Sequence, residues 1–332
     1  MPRFRHPLPV LVLGSLLHAG VVMETVAQAQ VDPAGWATPR TEHGHPDLQG
    51  NWTNETLTPL ERPRGLGPTL TPEEAARLTR ERPDQLQAGV AGAVGTYNDI
   101  YFQHGDGVAV VGGEARSSLI TFPADGRIPP LTAPGQARLD SARAFRDRFG
   151  PFDNPENLSV SDRCLVSFGS NAGPPMLPNN FYNNNYTIVQ TADHVLILTE
   201  MVHDARIIRL GERRPLPLGV RPWFGDSWGR WEADTLVVET TNFHPLQRLR
   251  GVPSDALKVT ERLHRVDEGT ILYRFTVEDP STYGEVWGGE IPMRRLEGLV
   301  YEYGCHEGNY AMFNILSGAR AEERRAVEEA RR

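Results

Sequence analysis

The chain has 332 residues, a formal net charge of −8 at pH 7 and a hydrophobic fraction of 39%. A chain of this length can form one large domain or two ordinary ones. The negative charge argues against nucleic acids and anionic membrane surfaces as partners. Composition therefore argues against two classes of partner and leaves the function open.

Residues 1–29 have the pattern of a secretory signal peptide. The basic residues Arg3 and Arg5 precede an apolar run from Leu8 to Leu17, and Ala27-Gln28-Ala29 fits the cleavage signal. The apolar run is too short for a membrane-spanning helix, and no later segment reaches that length. We therefore predict cleavage after Ala29, a periplasmic or extracellular location, and no membrane insertion.

Residues 30–160 are predicted to form an N-terminal wrap that contains two helices. This wrap is predicted to belong to the same domain as the rest of the chain. Thr71 is placed to cap the first helix, Pro72 stands at its first position, and Glu74 completes a capping box. The second helix is predicted over residues 134–149, where the sequence is strongly charged.

Residues 161–317 predict an antiparallel β core. Short strand-like segments are separated by turns without a helical period between them, and residues 257–266 and 270–279 form the clearest hairpin. Residues 299–306 are predicted as the last strand. Strands that are joined by tight turns run antiparallel, and a meander hides its edges by closing on itself.

The predicted fold class is therefore mostly β, with an antiparallel meander that closes into a barrel or a strongly curved sheet. Gly50-Asn51-Trp52 is a G-x-W, as on the first strand of lipocalin-like (calycin-like) barrels, where the tryptophan plugs the barrel floor. A short C-terminal helix is predicted over residues 318–332. In such a barrel, one face of each strand points inward. Polar residues that are predicted on this face need an explanation.

Glu261 is the first candidate catalytic residue. Strand alternation puts it in one row with Leu257, Val259 and Leu263, so its carboxylate is predicted to point inward. An inward carboxylate costs several kcal/mol unless it is paired. Two interpretations stay open: a structural pair with an arginine such as Arg294, or a general acid or base in a cavity.

A second group of candidates follows the strand at residues 194–199. Glu200 continues an apolar row, and His203, Asp204 and Arg206 bring an imidazole, a carboxylate and a guanidinium into the next turn. In the catalytic interpretation, Glu200 and His203 exchange protons, Asp204 orients them and Arg206 binds developing negative charge. In the structural interpretation, these residues only tie a hairpin together.

Residues 224–231 are predicted to form a compact aromatic loop. Asp226, Trp228 and Trp231 would hold a ligand, because aromatic faces beside fixed polar groups suit a sugar or a phenol. Asn185 and Tyr186 complete the set of predicted ligand-binding residues. The alternative is that the tryptophans close the barrel end and the amides make turns.

Residues 300–310 combine a cysteine, a histidine and a glutamate. Export predicts a disulfide between Cys164 and Cys305, which would hold His306 and Glu307 rigidly as a second candidate catalytic pair or as structural residues. A zinc site needs three or four converging ligands. The H-x-H spacing of residues 43–45 lies far away in the N-terminal arm, so the presence of a metal stays undecided.

Several motifs of common enzyme classes are missing from the sequence. Residues 225–229 (GDSWG) have the letters of G-x-S-x-G but stand in the predicted aromatic loop and not at a strand-to-helix elbow; we find no G-x-G-x-x-G after a strand, no P-loop and no C-x-x-C-H. The sequence therefore lacks the usual signals of serine hydrolases, dinucleotide enzymes and nucleotide-binding proteins. We expect no cofactor.

Several stretches resemble a family of uncharacterised exported bacterial proteins. They include HDARII, GDSWGRWEADTLVV and CHEGNY, and they span nearly the whole predicted mature chain. One difference is Ala233, where the family pattern has glycine. The resemblance implies secretion and a common fold, and it implies no particular activity.

The resulting functional prediction is an exported enzyme that acts on a small organic molecule, a carbohydrate or a phenolic compound such as plants produce. Lyase or isomerase chemistry by general acid–base catalysis fits best, because it needs neither a cofactor nor an activated nucleophile. The alternatives are a non-catalytic periplasmic lipocalin-like ligand-binding protein and a hydrolase with a carboxylate pair. The oligomeric state is left open.

Overall fold

The computed structural model describes residues 35–90, 102–167, 171–179, 182–201, 205–217 and 219–332. The helices are α1 (Pro72–Val90), α2 (Ala133–Arg146) and α3 (Tyr310–Ala330). The strands are β1 (Gly50–Thr53), β2 (Val110–Val111), β3 (Glu114–Ala115), β4 (Ile120–Phe122), β5 (Asn185–Gln190), β6 (His194–Thr199), β7 (Ala205–Leu210), β8 (Asp226–Glu232), β9 (Thr235–Thr241), β10 (Lys258–Arg265), β11 (Thr270–Glu278) and β12 (Trp287–Arg295). The predicted signal peptide at residues 1–29 lies outside the described residues.

The main sheet closes on itself as a barrel. Strands β1 and β5 to β12 follow one another around a nine-strand barrel, and the pairing of β1 with β12 closes it. β4 adds a tenth strand beside β12. The predicted mostly β barrel is confirmed, and the N-terminal region supplies two of the sheet's strands.

One pair of neighbouring strands in the barrel is parallel. β7 and β8 run in the same direction, whereas the other neighbours around the barrel are antiparallel. A closed ring with an odd number of strands cannot alternate direction throughout, so one such pair is required. The chain returns between them through residues 211–225, consistent with the length that a parallel connection needs. This one pair departs from the predicted antiparallel meander.

β12 shares one of its edges between two strands. Its end pairs with β1 at Arg294 and Arg295, and its beginning pairs with β4 at Gly288 and Gly289. A Cβ atom on Gly289 would lie 2.0 Å from the carbonyl oxygen of Leu119. Only glycine allows the chain that leads into β4 to come so close to this strand.

Trp52 closes the lower end of the barrel, where β1 begins and β10 ends. Its side chain is fully buried, and its indole N–H donates to the carbonyl oxygen of Leu48 at 2.9 Å. The guanidinium groups of Arg265 and Arg295 lie 5.6 and 5.9 Å from its ring. The G-x-W tryptophan therefore occupies the floor position that the sequence predicts.

Residues 171–179 cover the upper end of the barrel, where β9 ends and β10 begins. Met176 and Leu177 are buried and pack into the same hydrophobic core as the inner faces of the strands. Phe243 and Leu257, which flank the connection from β9 to β10, belong to this core as well. The upper end is thus filled by side chains from connecting segments.

Helices α1 and α2 begin where the sequence predicts, whereas α3 begins earlier. At α1, the Glu74 amide donates to the Thr71 hydroxyl at 3.2 Å and the Thr71 amide donates to the Glu74 carboxylate at 2.9 Å, which confirms the capping box. α2 ends at Arg146. α3 begins at Tyr310 instead of residue 318, and it contains no buried residue.

Two predicted elements have a different structure. Residues 226–232, predicted as part of a loop, form strand β8. Residues 299–306, predicted as the last strand, form no strand and cross the outside of the barrel. Among the described helices, none has the combination of length and hydrophobicity that crossing a bilayer requires.

Cys164 and Cys305 form the predicted disulfide. It joins a turn near the upper end of the barrel to the segment that precedes α3. The two cysteines are 141 positions apart, so the bond ties distant parts of the chain together.

Candidate functional site

Glu261 lies inside the barrel, as its strand pattern predicts, and it is completely shielded from solvent. Arg206 on β7 binds both of its carboxylate oxygens; Nη1 contacts Oε2, and Nη2 donates to Oε1 at 3.0 Å. The Tyr273 hydroxyl donates to Oε1 at 2.8 Å. The predicted partner was wrong, since Arg294 faces Glu55 at 3.5 Å instead.

The hydrogen bonds continue from this pair to residues 171–179, which cover the upper end of the barrel and which we call the covering segment. The Tyr273 hydroxyl accepts from the Met176 amide at 2.9 Å. The side-chain amide of Asn54 donates to the Met176 carbonyl oxygen at 3.1 Å and to the Tyr186 hydroxyl at 3.0 Å. The Tyr186 hydroxyl in turn donates to the Asn171 carbonyl oxygen at 2.8 Å. We call these five side chains, Asn54, Tyr186, Arg206, Glu261 and Tyr273, the interior cluster.

The charge states in the interior cluster follow from burial and pairing. Burial opposes the charge on Arg206, but Glu261 outweighs it and raises the pKa of this guanidinium. Burial, followed by the nearby charge of Glu261, holds the pKa of Tyr273 well above its usual value. Burial also raises the pKa of Tyr186. Both phenols therefore keep their protons, and Arg206 stays charged.

Each oxygen of Glu261 already accepts a charge-assisted hydrogen bond from Arg206. This arrangement holds the covering segment in position through Tyr273. It leaves little capacity for proton exchange with a substrate. The geometry therefore matches the structural interpretation of Glu261, with Arg206 as the partner.

Glu200 and Asn185 lie on the outer face of the barrel wall. Asn185 precedes the inward-facing Tyr186, and its side-chain amide donates to Oε2 of Glu200 at 2.7 Å. The Tyr301 amide lies 3.4 Å from Oε1 of Glu200, so the segment before α3 covers this pair. Glu200 and Glu261 are thus on opposite faces and share no pocket.

His203 and Asp204 lie outside the described residues. Of the predicted acid–base group, the structure therefore describes only Glu200, Glu261 and Arg206. Of these, only Glu261 and Arg206 are in contact. The catalytic role of His203 and Asp204 stays a prediction.

The predicted ligand-binding aromatic residues are separated by the barrel wall. Trp228 lies on the outer face beneath Arg209, whose guanidinium carbon is 4.4 Å from the ring and which pairs with Asp226. Trp231 lies at the lower end, where it stacks on His45 with 5.3 Å between ring centroids. Tyr186 belongs to the interior cluster at the upper end. These side chains cannot hold one ligand together.

His306 and Glu307 lie on an exposed turn just before α3, beside the disulfide. Both side chains are exposed, and the contacts of Glu200 are with Asn185 and the Tyr301 amide instead. Within that part, no group of three or more His, Cys, Asp or Glu side chains could hold a metal ion. His45 of the H-x-H spacing stacks on Trp231 instead.

A cleft of about 920 Å³ opens above the covering segment. It is lined by the end of α2, by the chain between residues 149 and 167, by residues 172–175 and by residues 243–251. Its floor includes Phe243 and Leu257 from the barrel core. We call it the upper cleft.

Four arginines line the upper cleft, namely Arg146, Arg163, Arg248 and Arg250. None of their side chains forms a hydrogen bond or an ion pair with another described residue. Asp147 and Glu156 are the acidic residues of the lining, so the cleft has a local excess of positive charge. No local sequence pattern predicts this site, although Arg248 and Arg250 stand close together in a segment with Leu246 and Leu249.

Comparisons with known proteins found no match, either among protein-family models, among curated proteins or among solved structures. The resemblance to uncharacterised exported proteins therefore stays an expectation. The function is therefore inferred from the geometry of the upper cleft and the interior cluster.

Proposed function

We propose that this protein is an exported ligand-binding protein that holds a small organic molecule in the upper cleft. The observation that carries the proposal is the cleft itself, whose volume of about 920 Å³ matches the size of typical small-molecule sites. Its lining combines apolar side chains with a few charged ones, which is the usual composition of such sites.

The ligand site proposed here is above the barrel and not within it. A lipocalin-like protein would hold its ligand among the inward-facing strand residues. In this barrel Trp52, Tyr273, Phe275 and Trp287 are buried on that face and belong to one packed core. The alternative of a ligand-binding protein is therefore retained, with a different location for the ligand.

The disulfide supports the exported location in this proposal. Disulfides persist in the periplasm and outside the cell, and they are rare in the cytosol. The bond between Cys164 and Cys305 lies beside the cleft wall, because Arg163 and Val166 line the cleft. An oxidising compartment would keep this wall in place.

Binding can be tested by isothermal titration calorimetry on the purified mature protein. The ligands are 3-phenylpropionate, dodecanoate, dodecyl phosphate, dodecanol and cellobiose. We expect saturable binding of at least one of them, and we expect Leu246→Trp to abolish it by filling the cleft. Leu299→Trp is the control, because Leu299 is exposed and outside the cleft. Absence of binding, or binding that survives Leu246→Trp, would contradict the proposal.

The same samples test the predicted acid–base enzyme. After incubation, chromatography would detect a new product if the protein is a lyase or an isomerase. A product that forms with the wild type and not with His203→Ala would favour the enzyme. Saturable binding without a product favours the ligand-binding protein.

A further inference from the structure

Arg146 and Arg248 both line the upper cleft. Arg146 ends α2, and Arg248 lies in the connection between β9 and β10. The pKa of Arg248 is lowered, first by burial and then by the positive charge of Arg146. Two guanidinium groups that interact in this way repel each other unless an anion lies between them.

Arg248 also has an unused hydrogen-bond donor. Its Nε atom is buried and has no hydrogen-bond partner among the described residues. Leaving a buried donor without a partner costs free energy. A group that accepts this hydrogen bond would recover that free energy, and an anion would also relieve the repulsion from Arg146.

The surroundings of this pair are apolar. Phe145, Phe149 and Leu246 line the cleft, and their side chains are 56%, 40% and 41% exposed. Exposed apolar side chains of this size next to unpaired cations indicate a ligand with both an apolar and an anionic part.

We infer that Arg146 and Arg248 form a clamp for an oxyanion, the carboxylate or phosphate group of an amphipathic organic ligand, whose apolar body lies against Phe149 and Leu246. This inference rests on the proposed ligand-binding function and names the ligand class. The shared chemistry is a planar or tetrahedral group with several oxygen acceptors. Arginine suits it because the guanidinium presents its donors as a fork that can bind two oxygens at once.

The charge of the whole molecule makes this site unusual. The chain has a formal net charge of −8, whereas the cleft lining contains four arginines and two acidic residues. An anion approaching the protein therefore finds a local positive region on a negatively charged molecule. We expect anion binding to weaken as salt concentration rises, because salt screens this attraction.

The experiment compares ligands that differ in their head group. Dodecanoate, dodecyl phosphate and dodecanol share one apolar chain, and calorimetry measures their dissociation constants. For the better of the two anions we expect a dissociation constant ~10–100-fold lower than that of dodecanol. The ratio between dodecanoate and dodecyl phosphate identifies which oxyanion the clamp prefers.

Variants locate the anion at the clamp. Arg248→Ala should weaken binding of the preferred anion by ~10–100-fold and leave dodecanol binding unchanged. Arg248→Lys keeps the charge but loses the fork, so we expect an intermediate loss. Arg143→Ala is the matched control, since Arg143 is also on α2 and does not line the cleft.

The outcomes separate this inference from the proposed function. If anions and dodecanol bind equally well and Leu246→Trp removes both, the cleft binds ligands and the oxyanion clamp is wrong. The clamp is also wrong if Arg248→Ala leaves anion affinity unchanged. If none of the three ligands binds to the wild type, the clamp is wrong, and the proposed function loses its support from these probes.

Discussion

Arg206 and Arg248 belong to two regions that share residues 171–176 as a common wall. Below the wall, Arg206 is fully buried and binds both oxygens of Glu261. Above it, Arg248 is half-buried and has no partner among the described residues. This contrast indicates that a charge in the protein interior points to a function when it is left unpaired. The paired arginine supports the fold, and the unpaired one is available to a ligand.

We expect the greatest loss of stability when the interior cluster loses its carboxylate. Glu261→Ala leaves Arg206 buried without a counter-charge, so we expect a loss of about 3–5 kcal/mol in the free energy of unfolding. Urea denaturation followed by circular dichroism measures it. Arg248→Ala is the comparison, and we expect it to change stability by less than about 0.5 kcal/mol. Equal losses in the two variants would remove the distinction between the two regions.

Tyr273→Phe tests whether the two regions communicate through the common wall. The substitution removes the donor to Glu261 and the acceptor for the Met176 amide. We expect stability to fall by about 1–3 kcal/mol. We also expect weaker ligand binding, because Met176 directly follows the cleft-lining Pro175. Unchanged ligand affinity in a destabilised Tyr273→Phe would show that the regions are independent; Tyr310→Phe, on exposed α3, is the control.

Ala233→Gly alters a position that is remote from both the interior cluster and the upper cleft, and it should affect stability alone. Ala233 stands in the tight turn between β8 and β9 with a φ of 50°, where a residue with a Cβ atom is strained. We expect a gain of about 1 kcal/mol in the free energy of unfolding and no change in ligand affinity. Ala124→Gly, at an exposed position without positive φ, should not stabilise the protein. A loss of stability in Ala233→Gly would contradict the prediction.

The smallest expected effect concerns pH at the rim of the upper cleft. Burial, and then the charge of Arg221, lowers the pKa of His244 below its ordinary value of 6.5, while the Nδ1 atom of His244 accepts from the Leu246 amide at 3.2 Å. The unfolded chain then binds a proton more readily than the folded protein. Stability should therefore decline as the pH falls below 6.5, and the decline should end below the folded pKa.

His244→Gln should make the profile of stability against pH flatter in this range. It removes only a part of the decline, because burial and Arg82 also lower the pKa of His104. Urea denaturation at a series of pH values measures the slope. Gln247→Ala keeps His244 and should retain the wild-type slope. An unchanged slope in His244→Gln would show that this histidine does not contribute.

Local sequence patterns predicted the strands better than the site. The alternation of apolar residues in β10 correctly placed Glu261 inside the barrel, because this pattern depends on neighbouring positions alone. Its partner Arg206 is 55 positions away, and no local pattern links the two. Arg294 was expected in its place because charge alone cannot choose between arginines on the barrel wall.

The two wrong elements have opposite physical causes. β8 was predicted as part of a loop because its outward-facing Trp228 and Asp226 are covered by Arg209 and the following connection, which hides the alternation of a half-exposed strand. Residues 299–306 have the composition of a strand but lack a neighbouring strand to pair with. The upper cleft could not be predicted because its lining comes from four separate parts of the chain.

Removing the N-terminal region would open the barrel along one edge of β12. That strand has one edge covered jointly by β1 and β4, and both come from the first 122 residues. A fragment that starts at residue 123 would expose the bare edges of β5 and β12, and bare edges recruit other chains into intermolecular sheets. The residues that precede the β-rich part of the sequence therefore act as a clasp, and they protect the molecule against self-association.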